Sequence, residues 1–249
     1  MTTSLSFDIR RQPDVTTCGP TCLHALYRYY GDSIELDDVI ARVSPWQKGG
    51  TLAVYLAIHA IRRGYGATIL PYNLTVFDPT WRDIGSRQMA RKLEAQLLDK
   101  KGLPGFEEVT HAYLEYLALG GRIQFRVLTP ALIRKYLKAG IPILTGLSAT
   151  YLYDCPRERE HNGGLVYDDV RGDSCGHFVV LSGYNKESRR VRVADPLVPN
   201  PIADGRYYDV DIYRLVCAIM LGILTYDGNM LIIKKSKHPP AKGRRTLTF

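Results

Sequence analysis

The chain has 249 residues, of which 45% are hydrophobic and 23% are charged. That composition is typical of a folded globular protein, and the length suffices for one large domain with its own core. The longest apolar run, residues 215–224, is much shorter than the roughly 20 residues that cross a bilayer. Residues 1–14 lack the apolar segment of a signal peptide. The sequence therefore predicts a cytoplasmic protein without a transmembrane segment.

The formal net charge is +8, and most of the excess lies at the C-terminus. Residues 234–249 contain no acidic residue, and their basic residues are Lys234, Lys235, Lys237, Lys242, Arg244 and Arg245. A short basic segment that also contains prolines is typical of a disordered, solvated tail. Because the charge is confined to this tail, we expect no nucleic-acid partner.

The chain has five cysteines, which are Cys18, Cys22, Cys155, Cys175 and Cys217. An odd number of cysteines in a chain of this length does not indicate a disulfide framework. Reduced thiols fit the predicted cytoplasmic location, and one of them is then free to carry chemistry.

Helices are predicted for the first part of the chain. Apolar residues at helical spacing, followed by Gly31, predict a helix over residues 17–30. The same reasoning predicts helices over residues 37–43 and 51–63, and a strand over residues 67–72.

Residues 78–121 differ from the preceding segment in that they contain more charged residues. Asp78 and Pro79 form a helix start signal, and a helix is predicted over about residues 80–99. Glycine and proline residues then interrupt the chain, and a second helix is predicted over about residues 107–119. We interpret residues 78–121 as a helical insertion, or a lid, within a single domain that spans residues 1–233.

The second half of the chain is richer in strands. The predicted strands and helices are 122–128 (strand), 130–139 (helix), 141–147, 177–184 and 190–194 (strands), 209–221 (helix) and 229–233 (strand). Residues 154–172 are polar, and we expect them to form a loop near a cleft. Helices followed by an antiparallel sheet indicate the α+β class.

Cys18 lies where the first predicted helix begins, in the segment Thr17-Cys18-Gly19-Pro20. The free N–H groups and the dipole at a helix N-terminus favour a thiolate, which is the nucleophilic form of cysteine. Gly19 would allow a substrate carbonyl to approach the backbone. The N–H of Cys18 and the side chain of Gln12 are candidate donors to an oxyanion.

His177 begins a predicted apolar strand, and Asp195 ends the neighbouring strand of a predicted hairpin. In that arrangement the carboxylate can reach the imidazole ring, orient it and stabilise its protonated form. Each residue alone has an ordinary structural explanation. The order Gln12, Cys18, His177, Asp195 predicts a catalytic cysteine with a histidine base.

These residues resemble a known family. The segments are Gln12-x5-Cys18-Gly19-Pro20, Gly176-His177-Phe178-Val179-Val180-Leu181 and Ala194-Asp195-Pro196. They resemble the bacteriocin-processing, or double-glycine-leader, peptidases, which are papain-like cysteine proteases.

The resemblance implies a papain-like fold and a cysteine peptidase that acts on a peptide or protein. It implies that Cys18 is the nucleophile, His177 the base, Asp195 the orienting acid and Gln12 the oxyanion donor, without a cofactor. It favours cleavage after small residues such as Gly-Gly. The chain departs from the family in having Thr17 where aspartate is frequent and in lacking a fused transporter, which suggests a free-standing member.

Two alternatives remain open. Cys18, Cys22, Cys175 and His177 have nearly the spacing of a structural zinc site. The same catalytic residues could also transfer an acyl group to an amine or thiol, as papain-like acyltransferases and transglutaminases do. The sequence does not separate hydrolysis from acyl transfer, and it makes no prediction of oligomeric state.

Overall fold

The computed structural model describes residues 2–47, 49–100 and 102–236. In chain order their elements are β1 (Thr2–Ser4), α1 (Cys18–Tyr29), α2 (Leu36–Arg42), α3 (Ala53–Arg62), β2 (Tyr65–Pro71), α4 (Ser86–Asp99), α5 (Phe106–Ala118), β3 (Arg122–Ile123), α6 (Pro130–Lys138), β4 (Ile143–Ser148), α7 (Ala149–Tyr153), β5 (Glu158–His161), β6 (Gly164–Tyr167), β7 (Gly176–Asn185), β8 (Arg190–Ala194), β9 (Tyr207–Asp211), α8 (Ile212–Leu221) and β10 (Asn229–Lys235). Short 3-10 turns lie at Pro79–Asp83 and Gly222–Thr225.

One large sheet organises the molecule. Its strand order is β3-β2-β10-β4-β7-β8-β9, and β1 also pairs with β7. The β2–β3 pair is parallel, and the other pairs are antiparallel. The predicted α+β class, with a papain-like arrangement of a helix-borne cysteine against an antiparallel sheet, is confirmed.

The sheet separates two hydrophobic cores. On one face, Val180 of β7 packs in the core that includes α1, α3, α4 and α5. On the other face, Val179 and Leu181 pack in the core that includes α6, α7 and α8. Side chains of a strand point alternately to the two faces, and β7 is buried on both. This central strand therefore fixes its residues firmly relative to α1.

Two strand ends meet at the edge of the sheet that carries the candidate site. Val180 of β7 pairs with Ala194, the last residue of β8. Because the strands are antiparallel, Asp195 leaves β8 near the point where β7 begins with Gly176 and His177. The topology thus brings together two residues that lie 18 positions apart in the chain.

Several predicted elements have different boundaries in the structure. The single helix predicted over residues 80–99 is wrong, because Asp78 caps a tight 3-10 turn and an extended backbone at Ile84 and Gly85 separates it from α4. The strand predicted over residues 122–128 is reduced to β3. The helix predicted over residues 209–221 begins only after β9, where the Asp211 side chain accepts hydrogen bonds from the backbone N–H groups of Tyr213 and Arg214.

Other differences concern the loop and the tail. Residues 154–172, predicted as a polar loop, contain the β5–β6 hairpin. Strand β10 extends through Lys235, into the segment predicted as a tail. The remainder of that predicted tail, from residue 237 onward, lies outside the described residues. Within the described ranges, no helix is long and apolar enough to cross a membrane.

The helical pair α4–α5 is packed into the main core. Met89 and Leu93 of α4 and Phe106 of α5 are buried in the same cluster as α1 and α3. Tyr116 of α5 is fully buried, and its hydroxyl contacts the carbonyl oxygens of Ala67 and Arg122 and the N–H of Arg122. This hydroxyl joins α5 to β2 and β3, which supports one domain that includes the pair.

Removal of that hydroxyl should destabilise the protein. We expect Tyr116→Phe to lower the free energy of unfolding by about 1–3 kcal/mol, because it leaves buried backbone groups without their partner. Urea denaturation measures the effect. Tyr113→Phe is the matched control, because the Tyr113 hydroxyl has no hydrogen bond to the described residues. Equal losses in the two variants would contradict the linking role of Tyr116.

Gly19 permits the close packing of α1. A Cβ atom at this position would lie 2.5 Å from Cγ2 of Thr51 and 3.2 Å from Cδ2 of Phe178. We expect Gly19→Ala to cost about 1–3 kcal/mol of unfolding free energy, which is typical of overpacking.

The Thr51 methyl group provides the control for this prediction. Thr51→Ser removes the methyl and keeps the hydroxyl that donates to the Ser44 carbonyl. The double variant should recover part of the stability that Gly19→Ala loses, measured by the same denaturation and compared with Thr51→Ser alone. A double variant no more stable than Gly19→Ala would show that the methyl contact is not the cause.

Candidate active site

Cys18 is the first residue of α1 and is 8% exposed. Thr17 precedes it and gives no side-chain cap to the helix, and the first turn has no acidic residue. The N–H groups at this helix start are therefore available to a negative charge on the sulfur or on a substrate. Hydrogen bonds between Asp14 and residues Thr16 and Thr17 hold the preceding loop.

The packing of α1 on β7 sets the position of Cys18. One turn along the helix, the fully buried Cys22 donates its thiol hydrogen to the Phe178 carbonyl at 3.2 Å. Burial, together with the nearby Cys18 and Asp195, raises the pKa of Cys22 well above its ordinary value. Cys22 is therefore a neutral structural thiol. Gly19 serves this packing, whereas the sequence suggested that it makes room for substrate.

His177 lies between Cys18 and Asp195. Nε2 of His177 is 2.8 Å from Oδ1 of Asp195, and the histidine is 7% exposed. The Cys18 thiol lies close enough to the same ring to contribute to the raised pKa of His177. Because Nε2 faces the carboxylate, Nδ1 is the nitrogen left for the sulfur.

Asp195 is completely buried and accepts four hydrogen bonds. Oδ1 accepts from His177 and from the Leu197 N–H at 2.9 Å, and Oδ2 accepts from the hydroxyls of Tyr153 at 2.8 Å and Tyr208 at 2.7 Å. Burial alone would raise the pKa of Asp195, but the charge of His177 and these hydrogen bonds lower it. The carboxylate is therefore ionised despite its burial.

The same interactions act on His177. Burial favours its neutral form, but the charge and hydrogen bond of Asp195, together with the contact with Cys18, raise the pKa of His177 to about 10. The ring is therefore an imidazolium near neutral pH. Its position beside the sulfur is the arrangement that stabilises a thiolate.

Gln12 reaches the site from the loop before α1. Its backbone N–H donates to the Pro196 carbonyl at 2.9 Å, so it is anchored beside Asp195. Its Nε2 donates one hydrogen to the Asp14 carbonyl at 2.8 Å, which leaves the second N–H available. Oε1 is buried and has no partner among the described residues. Gln12 and His177 both line a cavity of about 320 Å³.

The structure thus brings together the four residues singled out in the sequence. Two further residues of the site, Tyr153 and Tyr208, were not among them. Both hydroxyls lose their proton less readily than usual, because burial and the Asp195 charge raise the pKa of Tyr153 and of Tyr208. They are therefore neutral donors. No sequence signal distinguished them among 17 tyrosines.

The zinc alternative finds no support in the geometry. Within residues 2–47, 49–100 and 102–236, no three His, Cys, Asp or Glu side chains are grouped to hold a metal ion. The Cys22 thiol donates a hydrogen bond to the Phe178 carbonyl, and the His177 ring is hydrogen-bonded to Asp195. The proposed zinc ligands Cys18, Cys22, Cys175 and His177 do not form a zinc site.

The predicted lid does not form part of the cavity at His177. The described residues that line this cavity come from the N-terminal loop, from α7 through the start of β7, and from residues 197–201. A separate cavity of about 910 Å³ lies along α4 and α5 and includes Tyr55 of α3.

The chain is similar to several known proteins. The model of the Peptidase_C39 like family matches residues 105–214, a range that contains His177 and Asp195 and begins after Gln12 and Cys18. No curated protein matches the chain by sequence.

Three solved structures resemble this one. A C39-like peptidase from Bacillus anthracis is 15% identical, with a TM-score of 0.48 over 95% of this chain and 100% of that chain. A double-glycine-motif protease from the AMS/PCAT transporter, in complex with the leader peptide, is 13% identical, with a TM-score of 0.44 over 94% and 95%. Xylellain, a cysteine protease from Xylella fastidiosa, is 14% identical, with a TM-score of 0.43 over 95% and 86%.

The family match and the sequence motifs point in the same direction. The motifs around His177 and Asp195 lie inside the matched range, and the motif around Cys18 supplies a candidate nucleophile. The predicted resemblance is confirmed over residues 105–214, which match the Peptidase_C39 like family, and a cysteine peptidase is the class of enzyme that this match supports.

Proposed function

We propose that this protein hydrolyses a specific peptide or protein substrate, with Cys18 as nucleophile, His177 as acid and base, Asp195 as orienting carboxylate and Gln12 as oxyanion donor. The observation that carries the proposal is the hydrogen bond between His177 and the buried, ionised Asp195, with the Cys18 thiol close to the same ring. A histidine held between a thiol and a carboxylate is the arrangement that cysteine-based acyl transfer requires.

The reaction follows from these positions. The Cys18 thiolate attacks the carbonyl carbon of the scissile bond, and the carbonyl oxygen becomes an oxyanion. The N–H of Cys18 and the free N–H of Gln12 Nε2 are the proposed donors to that oxyanion. His177 then gives its proton to the departing amine nitrogen, the C–N bond breaks, and a thioester to Cys18 remains.

Water completes the cycle. His177, now neutral, takes a proton from a water molecule, which attacks the thioester carbon and releases the acid and the Cys18 sulfur. Asp195 stays ionised throughout, because Tyr153, Tyr208 and the Leu197 N–H satisfy it independently of His177. It therefore orients the ring and stabilises its charge without taking up the proton.

The first prediction for the site concerns the effect of His177 on thiol alkylation. Because the pKa of His177 is raised to about 10, the ring is charged at neutral pH and favours the thiolate form of the neighbouring Cys18. We expect iodoacetamide to alkylate Cys18 more slowly in His177→Gln, because this variant removes that charge. Alkylation of the exposed Cys217 should be the same in both proteins. Peptide mass spectrometry resolves the two sites.

Each cysteine is compared between the native protein and His177→Gln, because Cys18 is less exposed than Cys217 and a comparison between the two sites would mix accessibility with reactivity. The proposal is refuted if Cys18 is alkylated equally fast in the two proteins while Cys217 is unchanged.

Substitutions of the proposed catalytic residues should reduce peptide hydrolysis to different extents. Cys18→Ala should have no activity, and Gln12→Ala should lose roughly 10²–10³ in kcat, which is typical for one oxyanion donor. Asp195→Asn should retain a small residual rate, because the variant loses orientation and charge but keeps the reacting groups. Cleavage is followed by mass spectrometry on a peptide panel that includes Gly-Gly sequences. An unchanged rate in Gln12→Ala would remove this residue from the mechanism.

Tyr208→Phe tests the support of Asp195 through a pH profile. The Tyr208 hydrogen bond lowers the pKa of Asp195, so its loss should raise that pKa. The fall of kcat/KM on acidification should then begin at higher pH in Tyr208→Phe. Tyr213→Phe, on the exposed face of α8, is the matched control. A uniform drop in rate with an unshifted profile would indicate a packing defect.

A further inference from the structure

The cavity beside the catalytic residues lies on one side of the position that the scissile bond would occupy. Within the described part of the chain, its lining includes Gln12, Tyr153 and His177 but not Cys18. In the proposed mechanism His177 gives its proton to the departing amine, so the space beyond His177 is where the leaving group lies. The cavity therefore corresponds to the residue that follows the scissile bond.

The walls of this cavity are apolar. The β5–β6 hairpin contributes Leu165 and Tyr167, which are 58% and 56% exposed, and the loop before α1 contributes Val15, which is 72% exposed. Leu197 and Pro199 line it as well. Large apolar side chains grouped at a concave site, and left open to solvent, commonly mark a binding surface.

The charge of the cavity disfavours ligands that carry a carboxylate. Apart from the catalytic His177, Glu158 is the one charged side chain among the described lining residues. Cys175 also lines the cavity, and burial, followed by the nearby Glu158, raises the pKa of Cys175 to about 12. It is therefore a neutral thiol that behaves as a small apolar group. Once Cys18 is acylated His177 has given up its proton, so a carboxylate in this cavity would face Glu158 without a cation among the described lining residues.

We propose that this cavity binds the side chain of the residue after the scissile bond and selects a bulky apolar one. The inference rests on the proposed function, and it adds a specificity on the leaving-group side to the preference for small residues before the bond. A volume of about 320 Å³ lies in the range of pockets for small organic groups. Glycine would leave it empty, whereas leucine or phenylalanine would bury apolar surface against Leu165 and Tyr167.

Acceptor amines report on this cavity directly, because an amine that attacks the thioester approaches from the leaving-group side. The full chain is given a peptide thioester that ends in Gly-Gly. Acylation of Cys18 forms a new thioester and releases the donor thiol. An amino-acid amide then attacks the acyl carbon, a new C–N bond forms, the C–S bond breaks, and the proton from the amine passes to His177.

The measurement is the ratio of peptide amide to hydrolysed acid with glycinamide, leucinamide, phenylalaninamide and glutamate amide at equal concentration. We expect leucinamide and phenylalaninamide to exceed glycinamide by roughly 10-fold or more, since one methylene in an apolar pocket is worth about that factor. Glutamate amide should be the poorest acceptor, because its carboxylate would face Glu158.

A matched pair of variants tests whether the cavity wall formed by Leu165 determines the preference among acceptor amines. Leu165→Ser should reduce the preference for phenylalaninamide over glycinamide. Leu224→Ser is the control, because Leu224 is a similarly exposed leucine, 65% exposed, outside the lining of this cavity. It should keep the native preference.

The outcomes separate the two proposals. If Cys18 is not acylated by the thioester, the proposed function fails and this inference fails with it. If Cys18 is acylated but glycinamide or glutamate amide is the best acceptor, or if no amide competes with water, the cavity assignment is overturned and the catalytic proposal stands.

Discussion

The structure of the site depends on the burial of one negative charge. Asp195 is fully buried, and an ionised carboxylate is tolerated in a protein interior only where hydrogen bonds and an opposite charge replace water. Its donors come from α7, β7, β9 and the turn after β8. Because these segments must all be in place before the charge is satisfied, the arrangement of His177 is inseparable from the correct assembly of the sheet.

Burial of this pair also links stability to pH in two opposite directions. The lowered pKa of Asp195 contributes stability above its unfolded value of about 3.9, and this contribution is lost as the pH falls through the folded pKa. The raised pKa of His177 contributes stability in full below about 6.5, and this contribution is lost as the pH rises towards about 10. Both contributions are therefore complete between about pH 3.9 and about pH 6.5, and the pair remains charged through neutral pH.

The sequence predicted the parts of the site that local patterns reveal. Cys18 stands at a helix start and His177 at a strand start, so their chemistry could be inferred from neighbouring residues. Tyr208 could not be found in this way, because no strand was predicted there and the next predicted helix began at residue 209. Only the pairing of β9 with β8 brings its hydroxyl to Asp195. The break before α4 and the β5–β6 hairpin were missed for a similar reason: a capped turn and a polar two-stranded hairpin have weak periodicity.

The connection between β4 and β7 contains both a donor to Asp195 and part of the cavity wall. These strands are antiparallel neighbours, and a turn of a few residues would join them. The chain instead uses residues 149–175, whose ends are tied where Thr150 accepts hydrogen bonds from the N–H groups of Cys155 and Cys175. Tyr153, in the first part of this connection, donates to Asp195, and the β5–β6 hairpin further along places Leu165 and Tyr167 at the cavity. Because Thr150 ties the connection together beside Tyr153, the donor to Asp195 and the cavity wall are held by separate parts of one segment.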